Sequence, residues 1–302
     1  MGTGFHSGEL LVQRRAGLRA EADRNGAIVR DLVAPAAAGF LAERFMLVIG
    51  AQEAQEHGNT WCSLLTGPPG FLHAENIGGA GYRARVDVAA RPLPTDPLAG
   101  ALAGRVEVGA LAIDPSTRRR MRINGVSEPT PRGLRIEVRQ AYGNCPKYIQ
   151  RRDPELIAVA PGQPVIGTAL SEPDREIIER ADTFFIATAA ADGAADASHR
   201  GGNPGFVRIL GDGTEAGDTE LSWLDYKGNA MMMTLGNLSQ NPACGLLFLD
   251  WRTGTTLQLS GQARIEWHGT DRELRFRLRE LRRTEGAGPR DTHEPEYSRF
   301  NP

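Results

Sequence analysis

The 302-residue chain contains one series of short motifs twice, and this internal repeat limits the fold more than any other feature. Three anchors return in the same order and at a nearly constant offset: 67–71 as 202–206, 108–114 as 244–250, and Gly125 as Gly261. The first pair reads Gly-Pro-Pro-Gly-Phe and Gly-Asn-Pro-Gly-Phe, and the second keeps a Gly at its second position and an Asp at its end. Three anchors at one spacing predict a tandem duplication of a single structural unit.

Both copies show the same order of predicted elements. In each, a proline introduces a short helix that leads into a β run, and Ser171 with Asp174 forms a predicted capping box in the second copy. Leu134–Arg139 and Leu274–Arg279 alternate apolar and charged residues, which indicates strands with one buried face. About six short strands and one or two small helices per copy favour a mainly β fold of two small antiparallel barrels.

The predicted organisation has five parts: a helical extension over 1–33, a first barrel over 34–152, a linker over 153–170, a second barrel over 171–283 and a polar tail over 284–302. Apolar residues at helical spacing support the extension. The tail is rich in Gly, Pro and charged residues, and we expect it to be frayed or bound to a partner.

Composition excludes several classes of function. Basic and acidic side chains nearly balance, 35 against 37, and a formal net charge of −2 argues against bulk electrostatic binding of nucleic acid. No apolar run reaches the roughly 20 residues that span a bilayer, and the first residues lack the pattern of a secretory signal. Three cysteines without a CxxC pair suit a reducing compartment. We therefore expect a cytoplasmic protein that binds neither nucleic acid nor a membrane, and no metal site.

Two long segments of the second copy carry a resemblance to a known family. They are DASHRGGNPGFVRIL at 196–210 and LSWLDYKGNAMMMTLGNLSQNPACGLLFLDWRTGTTLQLSGQARI at 221–265. The markers of the same resemblance in the first half of the chain are FHSGELLVQRRAG, SLLTGPPGF and GNCPKYIQ. In these segments the chain resembles the pyridoxamine 5′-phosphate oxidase-like FMN-binding split barrels, in particular a large two-barrel subgroup.

The resemblance implies split β-barrels that hold FMN in a cleft where two barrels meet. Family members usually build this cleft by homodimerisation, whereas a tandem duplication supplies both barrels within one chain as an internal pseudo-dimer. Further pairing of two chains into a homodimer stays open.

The implied function is that of an FMN-dependent oxidoreductase, a flavoprotein that exchanges a hydride at flavin N5 with an unknown small substrate. The chain lacks the GxGxxG and Walker A motifs, so no Rossmann domain is expected, and NAD(P)H would act transiently or through a separate reductase. The alternative is a non-catalytic carrier or sensor module that binds flavin or haem.

Lys227 is the first candidate for cofactor binding. It lies in the turn Asp-Tyr-Lys-Gly-Asn, where a cation beside free backbone N–H groups suits a phosphate. The matching position in the resembling family commonly contributes a phosphate-binding side chain, whereas a solvated hairpin lysine is the alternative. Asn229 in the same turn is a second candidate, although Asn is as common in turns for its backbone conformation.

Three further candidates lie on either side of a glycine pair at 201–202, where missing Cβ atoms allow a ligand to approach the backbone. Ser198 and Arg200 precede the pair, and Arg208 follows it. Arg200 and Arg208 compete for the phosphate-binding role, and the sequence leaves that choice open. His199 is expected to be an oriented but inert histidine.

The resemblance also implicates the signature segment 143–150, which follows the last strand of the first barrel. We expect it to cross to the other barrel and to bring Asn144 and Lys147 near the cofactor. Cys145 in this segment is expected to be a buried or half-buried thiol without a catalytic role. Gln258 lies on a strand where family members place groups that contact the flavin ring.

The two copies have diverged at the predicted phosphate turn. The first copy has no counterpart of Asp-Tyr-Lys-Gly-Asn, and Arg91 is the only cation in its equivalent stretch, 86–98. We therefore expect one flavin site per chain rather than two.

Overall fold

The computed structural model of the chain describes residues 4–53, 58–78, 83–156, 159–211 and 219–302. Its helices are α1 (Ser7–Arg15), α2 (Arg19–Gly26), α3 (Pro35–Ala42), α4 (Glu172–Arg180) and α5 (Met233–Leu238), with a short 3₁₀ helix at Ala101–Ala103. The strands of the first copy are β1 (Met46–Gln52), β2 (Thr60–Thr66), β3 (Leu72–Asn76), β4 (Ala84–Val88), β5 (Val106–Asp114), β6 (Arg119–Thr130) and β7 (Gly133–Gly143). The linker contributes β8 (Val165–Gly167), and the second copy has β9 (Thr183–Ala189), β10 (Ala195–Gly201), β11 (Arg208–Leu210), β12 (Glu220–Leu224), β13 (Ala243–Asp250), β14 (Thr255–His268) and β15 (Asp271–Thr284).

The two copies form antiparallel sheets of identical strand order. The first sheet runs β2-β1-β5-β6-β7-β4-β3, and the second runs β10-β9-β13-β14-β15-β12-β11, with β8 added beside β15. Each copy thus has seven strands on this path instead of the predicted six. The protein is mainly β, and the shared order confirms the predicted tandem duplication of split barrels.

The recurring glycines of the sequence repeat have matching structural roles. Gly125 and Gly261 lie at β-bulges, where the register of β6 with β7 and of β14 with β15 shifts. A Cβ atom would lie 1.9 Å from the carbonyl oxygen of Glu137 at the first position and 2.1 Å from that of Arg277 at the second. Glycine is therefore required where each long hairpin bends.

A second pair of repeated glycines lies where the barrels touch. A Cβ atom on Gly109 would lie 2.3 Å from the backbone of Asp196, and one on Gly245 would lie 2.6 Å from the backbone of Trp61. Each contact joins a strand of one barrel to a strand of the other. The glycines that define the repeat thus also allow the two barrels to approach closely.

Apolar packing explains why the barrels associate. Each barrel has its own buried core. A third buried cluster lies between them and takes side chains from both copies: Met46, Val48, Leu111, Ile113, Phe185, Ala187, Leu247 and Leu249. Strands β1, β5, β9 and β13 are therefore apolar on both faces, one toward their own barrel and one toward the other. This arrangement is the internal pseudo-dimer that the sequence predicts.

Several local predictions are confirmed. Ser171 caps α4 in a capping box with Asp174, whose carboxylate accepts a hydrogen bond of 2.8 Å from the Ser171 backbone N–H. The apolar residues of Leu134–Arg139 and Leu274–Arg279 are buried, and the alternating arginines are half-buried or exposed.

The expectation of a frayed tail is wrong. Backbone bridges join Arg151 to Glu296 and Glu155 to Arg290, so the tail lies along the start of the linker. Ser298 is buried and its backbone N–H donates to the side chain of Gln150 at 2.8 Å. These backbone and side-chain bonds give a polar segment internal partners, which its composition alone does not reveal.

Candidate functional site

A cleft rich in arginine lies between the two barrels, and we call it the arginine cleft. The first copy contributes Arg120 and Arg122 from β6 and the segment after β7, and the second contributes β10, the end of β12 and the turn before α5. Residues alternate along β6, so Met121 and Ile123 enter the core of the first barrel while the two arginines face the second.

Arg122 is held at the base of the cleft by an ion pair and by hydrogen bonds from both terminal nitrogens of its guanidinium. Its Nη1 lies 3.0 Å from a carboxylate oxygen of the buried Asp196 and 2.9 Å from the hydroxyl of Tyr142. Its Nη2 donates to Ser198, which also donates to Asp196 at 3.2 Å. Arg122 is thus charge-compensated, and Asp196 raises its pKa against the opposing effect of burial.

Arg120 has no such compensation. Its guanidinium donates to Nδ1 of His199 at 2.7 Å and to the carbonyl of Cys145 at 2.9 Å, and it forms no ion pair with any carboxylate of the described residues. Burial, followed by the charges of Arg122 and Arg200, lowers the pKa of Arg120 to about 9. The cleft therefore holds a cation whose charge the protein does not neutralise.

Arg200 is only partly compensated. Its nearest carboxylate, Asp225, lies at 3.8 Å and pairs more closely with Arg272 at 3.0 Å. Burial lowers the pKa of Arg200, although Asp225 opposes this effect. Three arginines thus line the cleft, but only two carboxylates, Asp196 and Asp225, lie near them, and Asp225 also pairs with Arg272. This excess of positive charge favours binding of an anion.

Several buried polar atoms around the cleft have no hydrogen-bond partner among the described residues. They are Nε of Arg120, Nε of Arg122, Nε2 of His199, Nε of Arg200, Nδ2 of Asn144 and Nε1 of Trp223. Buried donors are nearly always paired, so six in one cleft indicate that a ligand with acceptor atoms completes them.

The backbone at the cleft has a strained conformation. Tyr148, Ala230 and Met232 all have positive φ angles, of 66°, 62° and 60°, and all three line the cleft. Non-glycine residues rarely adopt this region, and such strain is concentrated at functional sites. Gly201 lies against the carbonyl of Tyr148, where a Cβ atom would come within 2.0 Å.

The N-terminal helices brace this strained turn. The side chain of Gln13 on α1 is fully buried and donates to the carbonyl of Met231 at 2.8 Å, between the two left-handed residues of the turn. Asn25 on α2 donates to the carbonyl of Asn229, also at 2.8 Å. The helical extension therefore contributes to the shape of the cleft.

The structure brings five of the predicted site residues together. Asn144, Lys147, Arg200 and Asn229 line the arginine cleft, and Ser198 lies beneath it on Arg122. Asn229 donates to the side-chain oxygen of Asn144 at 2.8 Å, so the segment after β7 reaches the turn of the other barrel.

The remaining three predicted residues lie elsewhere. Lys227 is exposed at the rim, where its carbonyl accepts a hydrogen bond from Tyr148, while its neighbours in the turn line the cleft. Arg208 lies outside the cleft and pairs with Glu273 at 2.6 Å. Gln258 lines a different cavity. The expectation of a buried or half-buried Cys145 is wrong, because this thiol is exposed at the cleft.

The cavity that contains Gln258 is the repeat counterpart of the arginine cleft, and we call it the second cleft. Thr256 and Gln258 on β14 occupy the positions of Arg120 and Arg122 on β6, at the offset that relates Gly261 to Gly125. In place of arginine, Gln258 donates to the Ser63 hydroxyl at 2.8 Å and to Asp96 at 3.2 Å.

The second cleft is internally satisfied. The oxygens of Asp96 accept from the Ser63 hydroxyl, the Leu98 backbone and Gln258, while burial raises the pKa of this carboxyl. None of its described lining residues has an unpaired buried side-chain atom. The two clefts therefore have equivalent strand positions, but the second cleft lacks the arginines at these positions and the unpaired buried donors of the arginine cleft.

Sequence reasoning missed Arg120 and Arg122 and took His199 to be inert. The repeat itself could have found them, because the offset between Gly125 and Gly261 relates Arg122 to Gln258. The error was to look for the ligands on strands only within the second copy. A cleft between barrels takes its strand residues from both.

Comparisons with known proteins match one part of the chain to a family. Residues 170–295 match the family model described as pyridoxamine 5′-phosphate oxidase. Among curated proteins, no sequence matches the chain.

Similar solved structures match about two fifths of the chain. A pyridoxinephosphate oxidase family protein from Clostridium acetobutylicum is 15% identical, with 35% of this chain and 81% of that one covered and a TM-score of 0.23. An FAD-binding protein from Mesorhizobium loti is 10% identical, covers 40% and 97%, and has a TM-score of 0.28. A heme storage protein from Vibrio cholerae is 13% identical, covers 35% and 89%, and has a TM-score of 0.26.

The fold and the family match together define the class of protein. The chain is a two-barrel, split-barrel protein, and residues 170–295, which contain its second barrel, are similar to the pyridoxamine 5′-phosphate oxidase family. No helix in the described ranges is long and apolar enough to cross a membrane.

Proposed function

We propose that the arginine cleft binds FMN and that the protein is an FMN-dependent oxidoreductase acting on a small substrate. The observation that carries this proposal is Arg120, a largely buried cation without a carboxylate partner among the described residues. Leaving a charge in such a position is costly unless a ligand supplies the opposite charge. A phosphate-bearing cofactor supplies that charge.

The donor set of the cleft suits a phosphomonoester. Arg120 and Arg200 each have an unpaired Nε, and the unpaired amide of Asn144 adds a neutral donor. Guanidinium groups match phosphate oxygens in geometry and form charge-assisted hydrogen bonds with them. Lys227, exposed at the rim, is the further cation that we propose for the same group.

Aromatic side chains suit the isoalloxazine ring. Tyr148 and Tyr226 come from different copies, their ring centroids lie 5.4 Å apart, and both line the cleft. Phe206 and the buried Trp223 also line it, and the unpaired Trp223 Nε1 is a donor for a ring heteroatom. Apolar walls with a few convergent polar groups are typical of cofactor sites.

Bound FMN supplies hydride exchange at N5, and the residues of the chain supply binding, orientation and protection from water. The segment 143–150 covers one side of the cleft, because Tyr148 contacts Gly201 and its hydroxyl donates to the carbonyl of Lys227 at 3.0 Å. The remaining open side would admit the substrate and the electron donor, NAD(P)H or a separate reductase.

We further propose a single FMN per chain. The second cleft has Thr256 and Gln258 where the arginine cleft has Arg120 and Arg122, so it lacks the two strand guanidinium groups that we propose for the phosphate. Its polar groups are paired with one another, so nothing in it requires a ligand.

The test compares FMN with riboflavin, which has the same ring system without the phosphate. We expect FMN to bind the full-length chain and riboflavin to bind at least roughly 10-fold more weakly, since each charge-assisted contact contributes about 1.5–3 kcal/mol. Bleaching of the bound flavin bands by NAD(P)H would support the oxidoreductase.

Matched variants locate the site. Arg120→Met should reduce FMN affinity, whereas Arg119→Met should not, because Arg119 is exposed at the start of the same strand, beside Phe40 and outside the cleft. Equal affinity for FMN and riboflavin would contradict the phosphate assignment. A Soret band on adding haem, with no flavin binding, would favour the carrier alternative.

A further inference from the structure

His199 on β10 lies inside the arginine cleft, and only one of its two ring nitrogens has a hydrogen-bond partner among the described residues. The residue is 5% exposed, and its ring packs edge-on against Phe185 on β9 with centroids 5.7 Å apart. Nδ1 contacts Arg120, whereas Nε2 is buried without a hydrogen-bond partner among the described residues. Because buried polar atoms are nearly always hydrogen-bonded, the unpaired nitrogen indicates a hydrogen bond to a ligand in the cleft.

Arg120 fixes which nitrogen carries the hydrogen. A guanidinium can only donate, and its Nη1 lies 2.7 Å from Nδ1 of His199. Nδ1 must therefore accept, and a neutral imidazole in this contact carries its hydrogen on Nε2. The free nitrogen is consequently a donor.

The surroundings keep the imidazole neutral. Burial, with Arg120 on β6 and Arg200 on β10, lowers the pKa of His199 well below 6.5. Three other charged side chains line the cleft. The charge of Arg122 on β6 is matched by Asp196, Asp225 after β12 pairs with Arg272 and more distantly with Arg200, and Lys147 after β7 lies over the ring of Phe300. No carboxylate of the described residues pairs with His199 to favour the imidazolium.

We propose that His199 is a ligand-binding residue that donates from Nε2–H to an anionic oxygen of the bound ligand, beside the uncompensated charge of Arg120. This role rests on the proposed function for the ligand's identity, but the donor state itself follows from the Arg120 contact. The same contact disfavours His199 as a haem ligand, because coordination through Nε2 requires the hydrogen on Nδ1, where it would oppose the Arg120 N–H.

The donor state is tested on the full-length, ligand-free chain by ¹⁵N-histidine NMR. The chain has six histidines, and His199→Gln assigns the signal. We expect the Nε2–H tautomer with no titration from pH 8 to 5.5, and in Arg120→Met a gain of the Nδ1–H form. An Nδ1–H tautomer in the wild type, or titration near pH 6.5, would overturn the proposal.

Ligand binding is tested with FMN and with inorganic phosphate as separate probes. Either probe should shift the Nε2 resonance; a shift with phosphate alone would support the anion contact while contradicting FMN as the ligand. His199→Met should weaken binding of the active probe roughly 10- to 100-fold, as expected for a hydrogen bond to a charged group. His199→Gln, which retains an N–H donor, should recover most of this loss. If neither probe moves the resonance, the proposal is wrong.

Discussion

The paired substitutions Arg120→Met and Arg122→Met should affect folding stability very differently, although the two residues are neighbours on one face of β6. Methionine keeps an unbranched side chain in both cases and removes the charge. The burial and repulsion that lower the pKa of Arg120 from 12.5 to about 9 correspond to roughly 5 kcal/mol against its charged form in the folded chain. Arg120→Met removes this unfavourable energy.

The same substitution also removes two hydrogen bonds. Nδ1 of His199 and the carbonyl of Cys145 lose their donor, at about 1–3 kcal/mol each. The two effects largely cancel, so the free energy of unfolding of Arg120→Met should lie between about 1 kcal/mol below and about 3 kcal/mol above the wild-type value. Arg122→Met leaves the buried Asp196 without its ion-pair partner, which should cost about 3–5 kcal/mol.

Urea unfolding followed by circular dichroism at pH 7.5 measures both values without ligand. The pH is suitable because the pKa of Arg120 is lower in the folded chain. The unfavourable energy is therefore fully present at neutral pH and disappears only as the pH rises from about 9 toward 12.5. Equal destabilisation by both substitutions would refute the reasoning, since it would mean that Arg120 is as well compensated as Arg122.

Three further predictions concern Lys227 at the rim of the arginine cleft and two residues of helix α1, Gln13 and Glu9. Lys227→Ala should weaken FMN binding by about 1.5–3 kcal/mol while Lys227→Arg restores it, as measured by flavin fluorescence, and unchanged affinity in Lys227→Ala would remove this residue from the phosphate site. Gln13→Ala leaves the Met231 carbonyl unpaired, so it should lower the free energy of unfolding by about 1–3 kcal/mol and also weaken FMN binding. A loss of stability without weaker FMN binding would limit the role of Gln13 to folding. Burial raises the pKa of Glu9 on α1 to about 8. The stability that this group contributes is therefore complete below about pH 4.5 and is lost as the pH rises through 8. Urea unfolding from pH 5 to 8.5 should show this decline in the wild type, and an equal decline in Glu9→Gln would assign it to other groups.

The fold could be predicted because the repeat and the strand pattern are local signals. The anchors at Gly125 and Gly261 mark bulges that any long, bent hairpin of this type needs, and they recur in the sequence as they do in the structure. The alternation in β7 and β15 fixes their buried faces in the same way. The tail was misjudged because its partners, including Gln150, are distant in sequence and are polar.

The site was only partly predictable, because its chemistry depends on pairing between copies. Nothing local distinguishes Arg120 from Arg122, and only Asp196 on the other barrel makes one compensated and the other not. The state of His199 likewise follows from a guanidinium that belongs to the other copy. The positions of Arg200 and Asn144 in the cleft could be predicted, because Arg200 precedes the glycine pair at 201–202 and Asn144 belongs to the signature segment 143–150.

Calorimetric titration of the ligand-free, full-length chain with FMN tests the central claim most directly. The account predicts binding of one FMN per chain, with the affinity reduced in Arg120→Met and retained in Gln258→Leu, a variant of the second cleft. Two FMN per chain, or binding that depends on Gln258 and not on Arg120, would contradict the assignment of the arginine cleft as the single flavin site.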